Sequence, residues 1–311
     1  MNTHDIEAFV AVIDTGSISA AAAQLNLTQP AITRRIQNLE QALGTSLLDR
    51  AGKPLKPTGA GREAYQLGRR VLRSVGDLVA GVAPDGTPTG ELRLGITPNV
   101  GDVALAGPID EVRASFPRLS LRITSSWSPT LIRLILAGSL DAAAVMVMQE
   151  TEIPAPLQAT PLGKLELAVV AARQLGLPRR ADLKAVSAHP WIVNQEGCGT
   201  RAGIAALFAA AGLPFQVAVE AQGTELKLSL AARGIGLAIV PPWTIERSAY
   251  RDELTVLRVA GLPEAIHGWI VHLPMLGKLA LPVERFRAAF AENLEALVKA
   301  RPAGGARRKT G

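Results

Sequence analysis

The sequence is poor in the residues from which metal, disulfide and catalytic sites are built. Its 311 residues include one cysteine, Cys198, which can neither close an internal disulfide nor form a cysteine zinc site. The four histidines are dispersed and have no metal-ligand spacing. Neither a GxSxG motif nor a phosphate-binding loop occurs. We therefore expect no metal, no cofactor and no enzymatic activity.

Long apolar runs and a secretion signal are also missing. No run reaches the roughly 18 apolar residues that a membrane span requires. The first residues, MNTHDIEAFVAVIDTG, carry acids where a signal peptide carries lysines. Together with the single cysteine, these features indicate a protein of the reducing cytoplasm that has no membrane partner.

The chain does contain enough apolar sequence for a folded protein of about two or three domains. Hydrophobic residues make up 48% of it and charged residues 19%, a balance that excludes general disorder. The formal charge is +6, but it is concentrated in residues 59–80 and in the tail 301–311, RPAGGARRKTG. The overall charge is thus weak evidence for a nucleic-acid partner. We expect the basic tail to be disordered.

Residues 1–58 show a pattern of short helices followed by a small hairpin. Apolar residues recur at helical spacing over 3–14 and within the stretch TQPAITRRIQNLE. Gly16 is placed to end the first helix, Ser17 to cap the second and Thr28 to cap the third. The stretch LLDRAGKPLKPT predicts a two-stranded wing around a Gly-Lys-Pro turn. This order of elements is typical of a winged helix-turn-helix domain, which binds DNA.

The third helix carries the side chains best suited to reading base edges. An arginine can make two hydrogen bonds to guanine, a glutamine can do so to adenine, and a threonine methyl can contact thymine. Arg34 lies on the outward face, whereas Arg35 turns to the flank and is expected to meet phosphate. The candidate DNA-binding residues are Ser17, Thr28, Gln29, Pro30, Thr33, Arg34, Arg35, Gln37, Arg50 and Lys53. The alternative for residues 17–40 is a helical bundle with a solvated basic face.

A heptad pattern follows the predicted DNA-binding domain. Apolar or small residues are spaced four, three, four, three and four apart along a helix that begins at Gly59. The pattern predicts a dimerisation surface, because a long exposed helix must bury its apolar stripe; packing against its own domain is the alternative. The residues of this seam are Ala64, Gly68, Val71, Val75, Leu78 and Val82. The stretch APDGTPTG (83–90) predicts a linker.

From residue 91 onward, strand and helix patterns alternate. ELRLGI, LSLRI and LDAAAVMV are typical of strands, and the helical stretches LAGPIDEVRASF and PTLIRLILAG separate them. A second set, which begins with KLELAVVA, follows, and an amphipathic helix over 282–299 closes the chain. This alternation predicts an α/β domain with a parallel sheet and helices on its faces.

The stretch from Phe9 to Gly61 resembles the DNA-binding domain of the LysR-type transcriptional regulators. The resemblance is carried by an almost unbroken run that contains GSISAAAAQL, TQPA, LEQALGTSLLDR and TGAG. The likeness to the family continues to near Lys299. It implies an α/β protein with an N-terminal winged helix-turn-helix, a dimerising linker helix, and a two-lobed effector-binding domain shaped like a periplasmic binding protein.

The resemblance also implies a domain plan and a set of partners. It assigns residues 1–58 to DNA binding, 59–90 to the linker helix and hinge, and 91–300 to effector binding. The lobes of the last domain are lobe I, 91–161 and 267–300, and lobe II, 162–266. Members of the family bind an interrupted palindrome in double-stranded DNA as homodimers and usually as tetramers, and RNA polymerase is a candidate partner. We therefore expect a sequence-specific transcriptional regulator switched by a small molecule between its lobes.

Small hydroxyl and glycine residues follow the predicted strands where the two lobes would face each other. Ligands of open α/β sheets bind outside the carboxyl ends of the strands and against helix N-termini. This chemistry favours an organic acid or another small polar metabolite, and Met146 adds an apolar floor. The candidate effector-binding residues are Thr97, Asn99, Ser128, Thr130, Met146, Gly199, Thr200 and Thr224. Each hydroxyl taken alone is more typical of a helix cap.

Two residues near these positions have more than one interpretation. Arg201 is a candidate partner for an anionic effector or a structural residue. Cys198 lies in a loop comparable to the one that carries the reactive cysteine of peroxide-sensing relatives, but those sensors need a second cysteine, so a structural role is favoured. The alternative function is a small-molecule-binding protein or enzyme of the same fold without a DNA role. It leaves the run from Phe9 to Gly61 unexplained.

Overall fold

The computed structural model describes residues 1–49, 55–81, 88–98, 106–148 and 152–299. The candidate residues Arg50, Lys53, Val82 and Asn99, and the tail 301–311, lie outside these ranges. The helices are α1 Thr3–Thr15, α2 Ile18–Gln24, α3 Gln29–Leu43, α4 Gly59–Gly81, α5 Ala106–Ser115, α6 Ser128–Leu136, α7 Leu183–Ser187, α8 Gly199–Ala210, α9 Thr224–Ala232, α10 Pro242–Arg247 and α11 Ala280–Lys299. The strands are β1 Leu48–Asp49, β2 Lys56–Pro57, β3 Gly90–Ile96, β4 Leu119–Ser125, β5 Ala142–Val147, β6 Gln158–Glu166, β7 Ala168–Ala172, β8 Arg180–Asp182, β9 Trp191–Val193, β10 Val217–Glu220, β11 Leu237–Val240, β12 Leu254–Ala260 and β13 Ala265–His272.

The first three helices form a core because capping residues define their ends and their apolar faces point toward one another. The side chains of Ser17 and Thr28 accept N-cap hydrogen bonds at the starts of α2 and α3, as the sequence predicts. Gly16 and Gly44 end α1 and α3 in the left-handed conformation. Buried apolar side chains then meet between the helices, among them Phe9, Val12, Ile32, Ile36 and Leu39. The predicted wing is present as the antiparallel pair β1–β2.

The first turns of α4 are attached to this helical core. A Cβ atom at Gly68 would lie 2.7 Å from Cγ2 of Ile6, so the glycine permits the close approach of α4 to α1. The Tyr65 hydroxyl donates a hydrogen bond to the carboxylate of Asp14 on α1. Burial raises the pKa of Tyr65, and the bond to Asp14 raises it further. The start of α4 is therefore a fixed part of the N-terminal domain.

The first lobe of the C-terminal domain contains a five-stranded mixed sheet in the order β4-β3-β5-β13-β6. Strand β3 runs parallel to β4 and β5, whereas β13 is antiparallel to β5 and β6. One core includes Leu94 of the sheet with Phe286 and Phe290 of α11. A second core includes Leu131 and Ile135 of α6. Strand β5 is buried along its whole length, which is why its sequence is a continuous apolar run.

The second lobe contains a sheet in the order β10-β9-β11-β7-β12-β8. Strand β9 is parallel to both β10 and β11, and β7 is antiparallel to β11 and β12. One core contains Trp191 and Phe208 in edge-to-face contact, and another contains Ile192 with Leu228 of α9. The lobe is thus an independent α/β layer structure that lies between β6 and β13 in the chain.

The chain passes from one lobe to the other at Leu167 and returns over 261–264. The Leu167 N–H donates to the carbonyl of Glu264 at 2.8 Å, which places the two crossovers side by side. The first crossover lies a few residues beyond the predicted boundary at 161/162, because β6 continues beside β13 to Glu166. Gly163, at φ +133°, accommodates the register shift in this pair. KLELAVVA is therefore divided between two sheets.

No single helix in the described ranges is long and apolar enough to cross a membrane. Among the described helices, only the bent pair α1 and α2, taken together, has the length and composition of a membrane span.

Candidate functional site

The outward face of α3 has no part in the helical core. Ile32, Ile36 and Leu39 point inward and are at most 3% exposed. Arg34 is exposed on the opposite side, whereas Arg35 is half-buried. The other predicted contacts divide in the same way: Thr28, Gln29, Pro30 and Gln37 are exposed, and Thr33 and Ser17 are half-buried. The helix therefore presents amide, hydroxyl and guanidinium groups in one row, at the position from which a recognition helix reads a groove.

The wing is held against α3 and α4 by named contacts. The Glu40 carboxylate on α3 accepts a hydrogen bond from the Leu47 N–H at 2.8 Å. The Thr58 hydroxyl accepts from the Gly61 N–H at 2.9 Å and so caps the first turn of α4. A Cβ atom at Gly61 would collide with the Leu47 carbonyl, so this glycine lets α4 begin directly beneath the wing. Close packing against the Leu47 carbonyl therefore explains the second glycine of the TGAG motif.

The residues of the seam predicted along α4 belong to two different surfaces. Ala64 and Gly68 pack against the core of their own domain. Leu67 and several apolar side chains farther along the helix are not covered in the single chain. The exposed stripe of α4 consists of Leu67, Val71, Val75, Leu78 and Val79, each between 38% and 67% exposed. Several large apolar side chains in one row on one helix indicate an interaction surface.

The outer part of α4 also docks on lobe I through a buried carboxylate. Asp141 is 2% exposed and accepts hydrogen bonds from the N–H and the guanidinium of Arg93. Arg73 of α4 forms an ion pair with the same carboxylate and donates to the Leu140 carbonyl at 3.0 Å. Burial lowers the pKa of Arg93 to about 10, and the nearby charge of Arg73 contributes. Arg93 therefore remains protonated at neutral pH.

On the lobe I side of the predicted cleft, three candidate residues meet at the carboxyl ends of the strands. The Ser128 hydroxyl donates to the Met146 carbonyl at 2.8 Å and accepts from the Met146 N–H at 3.2 Å. It does not cap α6, whose N-cap is Trp127. Thr97 follows β3 and is 2% exposed, and its hydroxyl has no hydrogen-bond partner among the described residues. Thr130, in the first turn of α6, accepts a hydrogen bond from Arg133 instead.

The two lobes face each other across this edge at close range. A Cβ atom at Gly197, in the loop after β9, would lie 3.1 Å from Cδ1 of Trp127. A Cβ atom at Gly203 of α8 would lie 3.2 Å from Cγ of Met148. Glycine at both positions is what lets lobe II approach the end of β5. The remaining candidates, Gly199, Thr200 and Thr224, stand at the starts of α8 and α9 on the lobe II side, as the sequence predicts.

Lobe II contains a polar cluster of which the sequence analysis singles out only Arg201 and Cys198. Lys227 of α9 is 4% exposed and donates to Oδ1 of Asn194 at 3.1 Å. The Asn194 amide donates to Sγ of the buried Cys198 at 3.2 Å. Arg201 donates to the Asn194 carbonyl and pairs with Glu220 at 2.8 Å. Lys227 shares the inward side of α9 with Leu228, which is the one sequence signal that could have revealed it.

No group of three His, Cys, Asp or Glu side chains in the described ranges is placed to hold a metal ion.

Comparison with known proteins identifies the family. The family model described as "Bacterial regulatory helix-turn-helix protein, lysR family" matches residues 3–62, and the model described as "LysR substrate binding domain" matches residues 85–295. The chain belongs to the LysR family of transcriptional regulators. It is a DNA-binding regulator, not an enzyme, and its C-terminal domain is the effector-binding domain of that family.

Individual relatives agree with this assignment. The chain is 26% identical over 274 residues to the HTH-type transcriptional activator CmpR of Synechocystis sp., covering 86% of this chain and 88% of that protein. Its fold is similar to that of a full-length OxyR variant from Pseudomonas aeruginosa, with 15% identity, 94% and 98% of the two chains covered, and a TM-score of 0.73. It is also similar to full-length CbnR in complex with its target DNA, with 21% identity, 93% and 100% covered, and a TM-score of 0.59. As a LysR-family regulator, the protein binds DNA through its N-terminal domain and a small-molecule effector through its C-terminal domain.

Proposed function

We propose that this regulator binds an interrupted palindrome near its own gene, as a homodimer or a tetramer, and that a small organic acid or another small polar metabolite between the lobes alters this binding. The observation that carries the proposal is the exposed polar face of α3, which is fixed by capped helix ends and a core that does not use it. We also propose that it acts in the cytoplasm, with RNA polymerase as a candidate partner.

The DNA contacts follow from the direction in which each side chain points. Arg34 and Gln37 are exposed on the face opposite the core, so they suit the edges of guanine and adenine in the major groove. Arg35 lies nearer the flank and suits a phosphate, as do the backbone N–H groups at the start of α2 behind Ser17. Arg50 and Lys53 are proposed to reach the backbone or the minor groove from the wing.

The two-fold character of the DNA site follows from α4. Its exposed stripe would be covered by the same stripe of a second copy, which places the two α3 helices in a symmetric pair. Fully burying a valine or leucine side chain contributes roughly 1.5–3 kcal/mol, so even partial burial of this stripe gives a useful association energy. A symmetric dimer binds a palindrome because each subunit reads one half-site.

The effector would act by favouring one arrangement of the two lobes. The proposed effector-binding residues are Thr97, Asn99, Ser128, Thr130 and Met146 on lobe I and Gly199, Thr200 and Thr224 on lobe II. The buried Thr97 hydroxyl, without a partner in the described ranges, supports a polar ligand at this edge. A ligand changes DNA binding only if its affinity differs between the two lobe arrangements.

The decisive experiment is a footprint and gel shift of the purified protein on the intergenic DNA beside its own gene. It is run at a stated salt concentration, with scrambled DNA of equal length as control, and with and without candidate organic acids. We expect protection of two half-sites and a change in the footprint with the right acid. A folded protein that binds the intergenic and the scrambled DNA equally well would contradict the proposal.

A further inference from the structure

Two arginines lie side by side on the sheet of lobe I, away from the cleft between the lobes. Arg93 of β3 and Arg122 of β4 are Cα partners in the parallel pair, so their side chains project from the same face of the sheet. Like charges held next to each other on neighbouring strands repel. Arg93 is four residues before Thr97, about 13 Å at roughly 3.3 Å per residue, so the pair is separate from the effector cleft.

The carboxylates near this pair do not reach Arg122. Asp141 accepts two hydrogen bonds from the guanidinium of Arg93 and also forms an ion pair with Arg73 of α4. Glu91, two residues before Arg93 on the same strand face, is exposed and forms no ion pair within the described ranges. Arg122 is exposed and has neither a hydrogen bond nor an ion pair with a described residue. Its charge is therefore not taken up by a described carboxylate.

A further arginine approaches from α4. Arg69 is half-buried one turn before Arg73, and its guanidinium donates to the Tyr65 hydroxyl at 2.8 Å and lies over the Tyr65 ring. Asp14, which accepts from the same hydroxyl, forms no ion pair with Arg69. A guanidinium has five N–H donors, and among the described residues Tyr65 is the one acceptor that Arg69 uses. Arg69 thus has donors left for another acceptor.

The charges of these arginines converge on Arg93. Burial is the largest cause that lowers the pKa of Arg93 to about 10, and the positive charges of Arg73, Arg69 and Arg122 contribute. Glu91 opposes them, with a smaller effect than Arg73 or Arg69. Arg93 stays protonated at neutral pH, so loss of a proton does not relieve the repulsion. These four arginines, called the arginine cluster below, therefore form a positive site where α4 meets lobe I.

We propose that the arginine cluster binds a phosphate group, which Arg122 and Arg69 hold beside Arg93. A phosphate carries about −1.5 to −2 charges at neutral pH, which matches two guanidinium groups that no described carboxylate pairs with. A carboxylate ligand would neutralise only one of them. The planar fork of a guanidinium also fits two phosphate oxygens at once. The ligand is free phosphate or the phosphate group of a small metabolite, and its binding does not rest on the proposed gene control.

The test is isothermal titration calorimetry of the full-length protein with inorganic phosphate, glucose 6-phosphate and acetate. The ionic strength is kept constant with potassium chloride, so that general screening is the same for every ligand. We expect saturable binding of at least one phosphate compound and at least tenfold weaker binding of acetate, which has a single charge. Tighter binding of glucose 6-phosphate would identify a metabolite as the source of the phosphate, and tighter binding of inorganic phosphate would identify the free ion.

Two arginine variants locate the site. Arg122→Gln removes one of the two charges that hold the ligand, and we expect it to lower the phosphate affinity at least tenfold. Arg113→Gln is the matched control, because Arg113 is also exposed in lobe I but lies on α5. Helix α5 packs with Val112 against Leu92 and Leu94, on the other face of the sheet. This variant should bind phosphate as the original protein does.

Arg122→Glu distinguishes a site that lacks its anion from a surface that is merely basic. A carboxylate at this position takes the place of the ligand, so we expect a higher urea midpoint than that of the original protein in phosphate-free buffer, and no further rise with phosphate. The inference is overturned if neither phosphate compound binds saturably, if acetate binds equally well, if folded Arg122→Gln keeps the affinity of Arg113→Gln, or if Arg122→Glu is no more stable than the original protein. A negative footprint would contradict the proposed gene control and leave this result standing.

Discussion

At the scale of single residues, the adjacent arginines of α3 show how one step along a helix separates two chemical roles. Arg34 is exposed on the outward face, whereas Arg35 is half-buried at the flank. We expect Arg34→Ala to cost about 1–3 kcal/mol at its cognate base pair and to relax the preference there, because a two-bond contact to a base edge is lost. Fluorescence anisotropy with the cognate site and with a site changed at one base pair measures this.

Arg35→Ala is the matched control for that experiment. Loss of a phosphate contact should weaken binding to every sequence and reduce the slope of affinity against salt by about one. If Arg34→Ala gave the same uniform loss on scrambled DNA, Arg34 would be a second phosphate contact and the reading of a base by this residue would be wrong.

Ser128 has a structural role that does not depend on a ligand. Its hydroxyl satisfies both the N–H and the carbonyl of Met146, and the side chain is 5% exposed. Ser128→Ala should lower the free energy of unfolding by about 1–3 kcal/mol, because buried backbone groups lose their partner. Urea unfolding measures the loss. Thr130→Ala, whose hydroxyl only accepts from Arg133 at the surface, should change stability by less than about 0.5 kcal/mol.

At the scale of elements, α4 packs against its own domain at one end and exposes an apolar stripe along its length. Its first turns are fixed to α1 through Gly68 and Tyr65, and its exposed stripe remains available for a second copy. Val75→Glu should convert the proposed dimer to a monomer at micromolar concentration and lower DNA affinity, because a charge in the middle of the stripe would have to be desolvated on association. Sedimentation velocity and anisotropy on the same samples measure both effects.

Gln66→Glu controls for the added charge. Gln66 is exposed and lies off the stripe, so the same negative charge there should leave the dimer intact. If both variants remained dimeric, the stripe would not be the dimer interface, and another surface would have to hold the subunits together.

At the scale of the whole molecule, the buried Asp141 connects the DNA-binding part to the effector domain. Its carboxylate accepts a hydrogen bond from Arg93 within lobe I and forms an ion pair with Arg73 on α4. Asp141→Asn leaves two guanidinium groups close together without that negative charge, so we expect a loss of roughly 3–5 kcal/mol in the free energy of unfolding. Arg73→Met should cost much less, because Asp141 keeps its contacts with Arg93. Urea unfolding of the three proteins orders them, and equal losses would contradict a shared carboxylate.

We expect the same docking point to transmit an effector signal from the cleft to α4. Helix α6 begins at Ser128 beside the cleft and is about 13 Å long at roughly 1.5 Å rise per residue. Gly138, just beyond its end, contacts Arg70 of α4: a Cβ atom there would lie 2.8 Å from Cγ of Arg70. If gene control works as proposed, Arg73→Met should retain effector binding and basal DNA binding but lose the effector-dependent change in footprint. An unchanged response would show that the signal takes another route.

Much of the N-terminal domain could be predicted because its signals are local. Ser17, Thr28, Gly16 and Gly44 act within one turn of their own position, and the apolar spacing fixes the inward face of α3. The sequence pattern places the first boundary between the lobes a few residues too early. A continuous apolar stretch cannot reveal that its first half pairs with β13 and its second half with β11, since those partners are distant in the chain.

The sequence by itself determined the order of elements, the helix caps, the family and the polar face of α3, because each depends on spacing within a short segment or on a motif run. Only the tertiary structure decided that Ala64 and Gly68 belong to the core of their own domain, that Ser128 binds the backbone of Met146, and that Lys227 stands beside Arg201. These facts depend on which segments meet in space. Such contacts arise from packing among distant strands and helices, which no periodicity along the chain records.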